Sequence, residues 1–297
     1  MSKGLRVLPL LLLFTSIAIA QPFIDIVDVQ YQAFTREHFK NDPAASAATS
    51  TFKASLAYPV KFKSGNVLLF GFDHLHHFID YRSDSISYQS DLYSTGLRFI
   101  YNFGLNNPKW RCLLMAVPKI NADFKSPLSS DLQMGGAVLF IWEPKPTLKF
   151  KFGGYYNREF YGNYYMTLLG IDWKVNDRLN IFGILPAGMN IEYKLHPKFR
   201  TTLSYRNANP SFRTTGNQGD SYVLDGDPDL GDSQLYLLLN YYPGKNIMLY
   251  AGFGQTLFRY FEEYDKFKEK TVIDPALAPM KDQQFLTIGA SYRIRFD

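Results

Sequence analysis

The stretch Thr51-Phe52-Lys53-Ala54-Ser55-Leu56-Ala57-Tyr58-Pro59-Val60-Lys61-Phe62-Lys63 decides the fold. Phe52, Ala54, Leu56, Tyr58, Val60 and Phe62 share one parity, while Thr51, Lys53, Ser55, Lys61 and Lys63 take the other. Successive side chains of a strand point to opposite faces, so this segment reads as a strand with one oily and one wet side. The last stretch repeats the pattern. Leu286, Ile288, Ala290, Tyr292, Ile294 and Phe296 alternate with Thr287, Gly289, Ser291, Arg293 and Arg295. Similar ladders run through Tyr93–Phe103, Tyr165–Trp173 and Leu235–Tyr241. Helical periodicity is almost absent.

The connections alternate as well. Short turns rich in Gly, Pro, Asn and Asp stand at 63–66, 104–109, 144–147, 175–178, 196–198 and 243–246. Between them lie longer polar segments near 37–48, 82–90, 123–131, 157–163, 209–231 and 262–282, with one brief link at Ala187-Gly188. Tight turn, long loop, tight turn is the pattern of an up-and-down outer-membrane barrel, whose periplasmic turns are short and outer loops long. The strands expected are 23–35, 50–62, 67–80, 92–103, 110–121, 133–143, 147–156, 164–174, 179–186, 189–195, 199–208, 233–242, 247–260 and 284–296. That makes about 14 strands of an all-β transmembrane antiparallel barrel, an even number as such barrels require. Because 179–186 and 189–195 look short for a crossing, twelve is the alternative.

Composition narrows the field further. Aromatic residues make up 16% of the 297-residue chain and charged ones only 20%, the opposite of a disordered chain. The longest apolar run, Val7–Ala20, is too short for a spanning helix, which needs ~20 residues. A lone cysteine, Cys112, excludes a disulfide scaffold. Lys3 and Arg6 ahead of that apolar run, which closes on Ala18-Ile19-Ala20, read as a signal peptide over 1–20. Residues 21–297 then form a single barrel domain. Without Lys3 and Arg6, 30 basic residues face 27 acidic ones, too even a balance for a nucleic-acid-binding face.

Alternation alone leaves open which face meets the inside. The polar faces carry Arg98, Lys149, Lys151, Asp172, Lys174, Glu192, Lys194, Arg200, Arg206, Arg293 and Arg295, a set that suits a wet lumen. Aromatics gather near strand ends, for example Tyr101 with Phe103 and Tyr241 with Tyr242, as interfacial girdles do. Nine of these lumen positions are basic and two acidic, which favours anions electrostatically. Charge reversal at Arg200, Arg206, Arg293 or Arg295 is expected to change ion selectivity.

The closing Gly289–Phe296 segment resembles the C-terminal signal of outer-membrane proteins, in which Tyr292, Ile294 and Phe296 are the residues read by the barrel assembly machinery. Asp297 after the aromatic departs from that signal. More broadly, with its His196-Pro197-Lys198 and Pro144-Lys145-Pro146 turns, the chain is similar to uncharacterised outer-membrane barrels of Bacteroidota, a barrel family of unknown function. The resemblance implies fold and location, with outer-membrane lipids and the assembly machinery as partners.

Other motifs carry less. His74 and His76 share one strand face with His77 opposed; two imidazoles could begin a metal site, yet no acidic or cysteine cluster completes one, and a headgroup-level strand end explains them better. Ser83, Ser85, Ser87 and Ser90 lie beyond those histidines, but no nucleophile elbow accompanies them. Asp225-Gly226-Asp227-Pro228-Asp229 lacks the later Glu of a calcium loop, and Gly252-Phe253-Gly254 lacks the third glycine of a dinucleotide site. Pro59, Pro118 and Pro186 should fall at bulges or strand ends. Gly135-Gly136 and Gly153-Gly154 should mark bends or a close approach inside the wall. The reading is a non-enzymatic barrel without cofactor or metal that passes or binds a small solute, with a plugged structural or surface-binding barrel as the alternative. A lipid hydrolase or acyltransferase ranks below both.

Overall fold

Each alternating segment becomes a strand, and each strand finds its partner in the order of the chain. The computed structural model describes residues 23–84, 87–125, 131–160, 162–208, 211–216, 219–225, 232–265 and 279–295. The wall consists of β1 (Phe23–Phe34), β2 (Ser46–Lys61), β3 (Val67–Arg82), β4 (Ser87–Gly104), β5 (Trp110–Ala122), β6 (Leu132–Lys145) and β7 (Leu148–Glu159). It continues through β8 (Gly162–Lys174), β9 (Leu179–Leu185), β10 (Gly188–His196), β11 (Phe199–Ala208), β12 (Asp232–Tyr241), β13 (Ile247–Leu257) and β14 (Gln284–Arg295). Neighbours pair antiparallel all the way round, and β1 closes on β14 with Phe23 opposite Arg295 and Phe34 opposite Phe285. The result is a closed 14-strand barrel. Short β9 and β10 are full members, each paired on both sides, so the twelve-strand alternative is set aside. The signal-peptide segment 1–20, and Phe296 and Asp297 of the terminal motif, lie outside the described residues.

Closure sorts the two parities. Leu56, Leu97, Leu169, Leu237, Leu286 and Ile288 point outward and are about half exposed or more. Thr51, Gln133, Glu192, Ser204 and Thr287, of the opposite parity, are buried within the barrel. An all-round oily exterior this large is far beyond the few-hundred-Å² patch that a water-soluble monomer tolerates. Rings collect at the two ends of that band. By the short turns, Phe62 meets Tyr101, Tyr101 stacks on Phe103, Trp110 on Trp142, and Phe199 on Tyr241, with centroids 5.0–6.4 Å apart. By the long loops, Tyr93 meets Phe124 and Tyr156 meets Tyr165. The wall is uneven in height: β4 runs 18 residues and β9 only 7.

Prolines and glycines sit where the ladder permits. Pro186 follows β9, Pro59 stands third from the end of β2, and Pro118 lies within β5 where pairing to β4 lapses opposite Leu97 and Arg98. A side chain at Gly153 would run into the backbone carbonyl of Val138, so β6 and β7 approach there as no larger residue allows. A second tight corner joins β12, β13, β14 and β1. Tyr250 lies over Gly289 and donates its hydroxyl to Asp28 at 3.2 Å, while Tyr236 and Phe285 fill the space beside Gly254. Gly289→Ala should displace Tyr250 and cost about 1–3 kcal/mol, the usual range for overpacking. Gly244→Ala, with nothing within 4 Å, is the control. Urea unfolding in lipid vesicles reads the difference, and equal midpoints for the two variants would show that this seat contributes nothing.

Candidate functional site

Inside the barrel lies a cavity of about 940 Å³, in the range of small-molecule sites. Two constrictions bound it. At the short-turn end, Glu192 on β10 accepts from Arg200 of β11 at 3.0 Å and from Arg295 of β14 at 2.5 and 3.2 Å. Strands β10 and β14 are not neighbours, so the Arg295–Glu192 bond spans the lumen. Arg293 beside it donates to Asp25 at 2.6 and 2.9 Å, and its guanidinium lies 3.4 Å from the centroid of the Phe23 ring. Phe23 in turn meets Phe182 of β9 edge-on at 5.4 Å, a second contact across the barrel. Tyr242 ties the group together, its hydroxyl accepting from Arg295 at 3.0 Å. Charges this deeply buried persist only when paired, and these are paired twice over.

The long-loop end is narrowed by chain rather than by side chains. After β11, the segment Ser211–Gly216 crosses the mouth and lies along the far rim, where Arg213 bridges Ala122. Asp123 donates its backbone N–H to the Arg213 carbonyl at 3.0 Å, and Asn121 donates to the Ser211 carbonyl at 3.1 Å. The Ser211 hydroxyl reaches Glu159 at 2.5 Å. Arg213 forms a bidentate pair with Asp131, both fully buried. Phe212, also fully buried, anchors an apolar cluster with Phe39, Ala47, Ile79, Leu92 and Met280. Gln283 adds bonds to the carbonyls of Thr35 and Ala47 at 2.8 and 3.1 Å. A second strand, Gly219–Asp225, pairs with this segment and with Phe261–Asp265.

Between the two constrictions the wall has two characters. From β5 to β9 the cavity is faced by Leu113, Met115, Leu139, Ile141, Leu168 and Ile184. Ala137, Leu139 and Leu168 are the buried members of this apolar cluster. From β10 round to β2 it is faced by Asn190, Ser204, Arg206, Asn240, Asp28 and Lys53. Charges near the apolar side are neutralised by neighbours: Arg98 with Asp73 at 3.1 Å, Lys119 with Glu159 at 3.0 Å, Lys151 with Asp172 at 2.7 Å. On the polar side Lys53 donates to Gln32 at 3.1 Å and Arg206 to the Tyr236 hydroxyl at 3.4 Å. Among the described residues neither cation forms an ion pair, and Asp28 is the one cavity-lining carboxylate in the same position.

The residues singled out in the sequence fall into three groups. Arg98, Glu192, Arg206 and Arg293 line the cavity, with Lys151 beside them. Asp172, Arg200 and Arg295 are inward and buried in ion pairs. Lys149 pairs with Glu143 at 3.3 Å, and Lys174 with Asp177 at 3.6 Å at the turn. Lys194 lies at the same end, opposite Arg200 in the ladder. The basic excess counted from parity is thus largely cancelled, chiefly by Asp25, Asp73 and Glu192. Tyr292 faces outward, and Ile294 pairs with Ile24 on β1. His74 and His76 face outward too: His76 bonds Asp91 at 2.7 Å and stacks on Tyr93, and His74 bonds Thr95 at 2.9 Å. His77 points inward to Thr51 at 2.8 Å. Among the described residues no three His, Cys, Asp or Glu side chains gather as a metal site requires. The acidic segment at 226–231 and Ser85 lie outside the described residues. Lys53 and Asp28 share the wet parity and could have been read from it. The lid residues Ser211 and Arg213 carry no such signal.

A family model described as a domain of unknown function, DUF6268, matches residues 79–289. None of the curated proteins matches. Among solved structures the chain is similar to an outer membrane channel from Pseudomonas putida F1, at 8% identity, covering 90% of this chain and 94% of that one, with a TM-score of 0.45. A Pseudomonas aeruginosa FadL homologue gives 10% identity over 90% and 89%, TM-score 0.46, and the NanC porin 10% over 90% and 100%, TM-score 0.39.

Proposed function

The chain belongs to the DUF6268 family, and we propose that it is an outer-membrane barrel, not an enzyme, that passes or binds a small solute with a preference for anions. The oily outer band between two aromatic girdles supports placement against outer-membrane lipids. The barrel assembly machinery would insert it, reading the closing strand. One observation carries the solute reading: the 940 Å³ cavity stays open between its two constrictions instead of being packed with side chains. The preference for anions now rests on Lys53 and Arg206, not on the paired arginines.

Planar-bilayer recordings test both parts. Conductance is expected, with anions favoured; Lys53→Glu with Arg206→Glu should shift the permeability ratio severalfold toward cations, because lumen charge sets the local ion concentration. Reversal of Arg200 should lower stability, since it breaks a buried pair, and also move selectivity toward cations at the narrow end. A silent wild-type barrel would favour the plugged alternative, and a ratio unmoved by the double reversal would remove the anion preference.

A further inference from the structure

We infer that the solute is an amphiphilic anion, an apolar body with one acidic head, held with its body on the β5–β9 wall and its head at Lys53 and Arg206. The inference deepens the small-solute reading and rests on it. A cavity for small hydrophilic ions gains nothing from an oily wall, because water and hydrated ions lose hydrogen bonds against it. Yet Leu113, Met115, Leu139, Ile141, Leu168 and Ile184 turn inward on β5, β6, β8 and β9, strands whose outer parity is already apolar, with Lys151, Tyr155 and Glu159 of β7 between them. These strands carry oily side chains on both faces, at positions where the wet parity from β10 round to β2 is mainly polar, Leu238 and Met248 excepted. Burying that surface under an apolar ligand body is favourable, at roughly 25 cal/mol per Å².

The polar half supplies the complement. Arg98, Lys119, Lys151 and Arg293 each pair with one carboxylate and Glu192 holds two arginines at the narrow end, whereas among the described residues Lys53, Arg206 and Asp28 form no ion pair, two positive against one negative. Asp28 already accepts the Tyr250 hydroxyl, leaving a surplus of one positive charge for a single acidic group. Both cations also border a small recess of about 60 Å³ beneath the lid, shared with Phe212, His77 and the Arg259–Asp232 pair at 3.7 Å, so that its lining too carries more positive than negative charge. Every strand is paired to a neighbour on both sides, with a lapse of two residues between β4 and β5, so the ligand enters from solution through the ends of the barrel.

The test uses the whole barrel in phosphatidylcholine nanodiscs, with empty discs subtracted, and three probes: 1-naphthylacetate, neutral 1-naphthylacetamide and acetate. Naphthylacetate should bind at one site per barrel and more tightly than either of the others. Lys53→Gln with Arg206→Gln should weaken naphthylacetate about tenfold, as expected for losing a charge-assisted bond, and leave the amide unchanged. Leu139→Asn should weaken both aromatic probes, with acetate unaffected. Equal affinity for acid and amide, or for acid and acetate, overturns the inference. So does the failure of all three probes to bind a barrel that conducts, which leaves the channel reading standing. Binding by a barrel that never conducts supports the inference and removes only passage.

Discussion

Arg213→Ala should open the outer mouth. The variant removes the bidentate Arg213 bond from buried Asp131, a loss of about 3–5 kcal/mol concentrated on the segment that crosses the lumen. The wall does not depend on that segment: each barrel strand is paired on both sides without it. Single-channel conductance should therefore rise several-fold, while the heat-induced mobility shift of the folded barrel in gels stays where it was. The double variant Arg213→Ala, Asp131→Ala should fall between wild type and the single variant, because it removes the buried acid along with the bond. Conductance identical in all three proteins would mean that the lid is not the barrier at this end.

Glu192→Gln acts on the opposite end and on two properties at once. Its carboxylate is the shared acceptor of Arg200 and Arg295, and the side chains of all three are at most 8% exposed. Two guanidinium groups then face one another with a neutral amide between them. Stability should fall by about 3–5 kcal/mol, read as a lower urea midpoint in vesicles. The narrow end also gains one positive charge, so permeability should move toward anions, the direction opposite to the Lys53 and Arg206 reversal. A midpoint unchanged from wild type would show that the cross-lumen bond is not made in the membrane.

The strands were legible because a barrel wall obeys a local rule. Thr51–Lys63 must alternate wherever it sits, since one side forms the apolar exterior and the other a polar interior. The same parity sends Arg98, Glu192 and Arg206 inward and His74 and His76 outward. What parity could not carry is partnership between strands distant in sequence. Glu192 meets Arg295 because fourteen strands close at a particular width, and nothing within 188–196 announces this. Counting charges therefore overstated the positive lumen: Asp25 and Asp73 had not been weighed against Arg293 and Arg98. The loops were harder still. The 209–231 connection looks like any polar loop, yet Phe212 and Arg213 turn back into the mouth because an apolar ring and a buried acid await them there. The oily inner wall was hidden for a different reason. Segments such as 137–141 read as apolar on both parities, which in a strand says only that both faces are dry.

In the outer membrane proposed for this barrel, the short ninth strand would shape the bilayer as well as the wall. Seven residues at about 3.3 Å each, leaning by ~40°, climb only about 18 Å, whereas an outer-membrane belt is about 25 Å tall. The eighteen residues of β4 climb well over twice as far. There, acyl chains beside β9 and β10 would have to shorten or splay, leaving a dimple in the bilayer on one flank. Mismatch of this kind draws short-tailed lipids to that flank and gives neighbouring proteins with low walls of their own a place to settle.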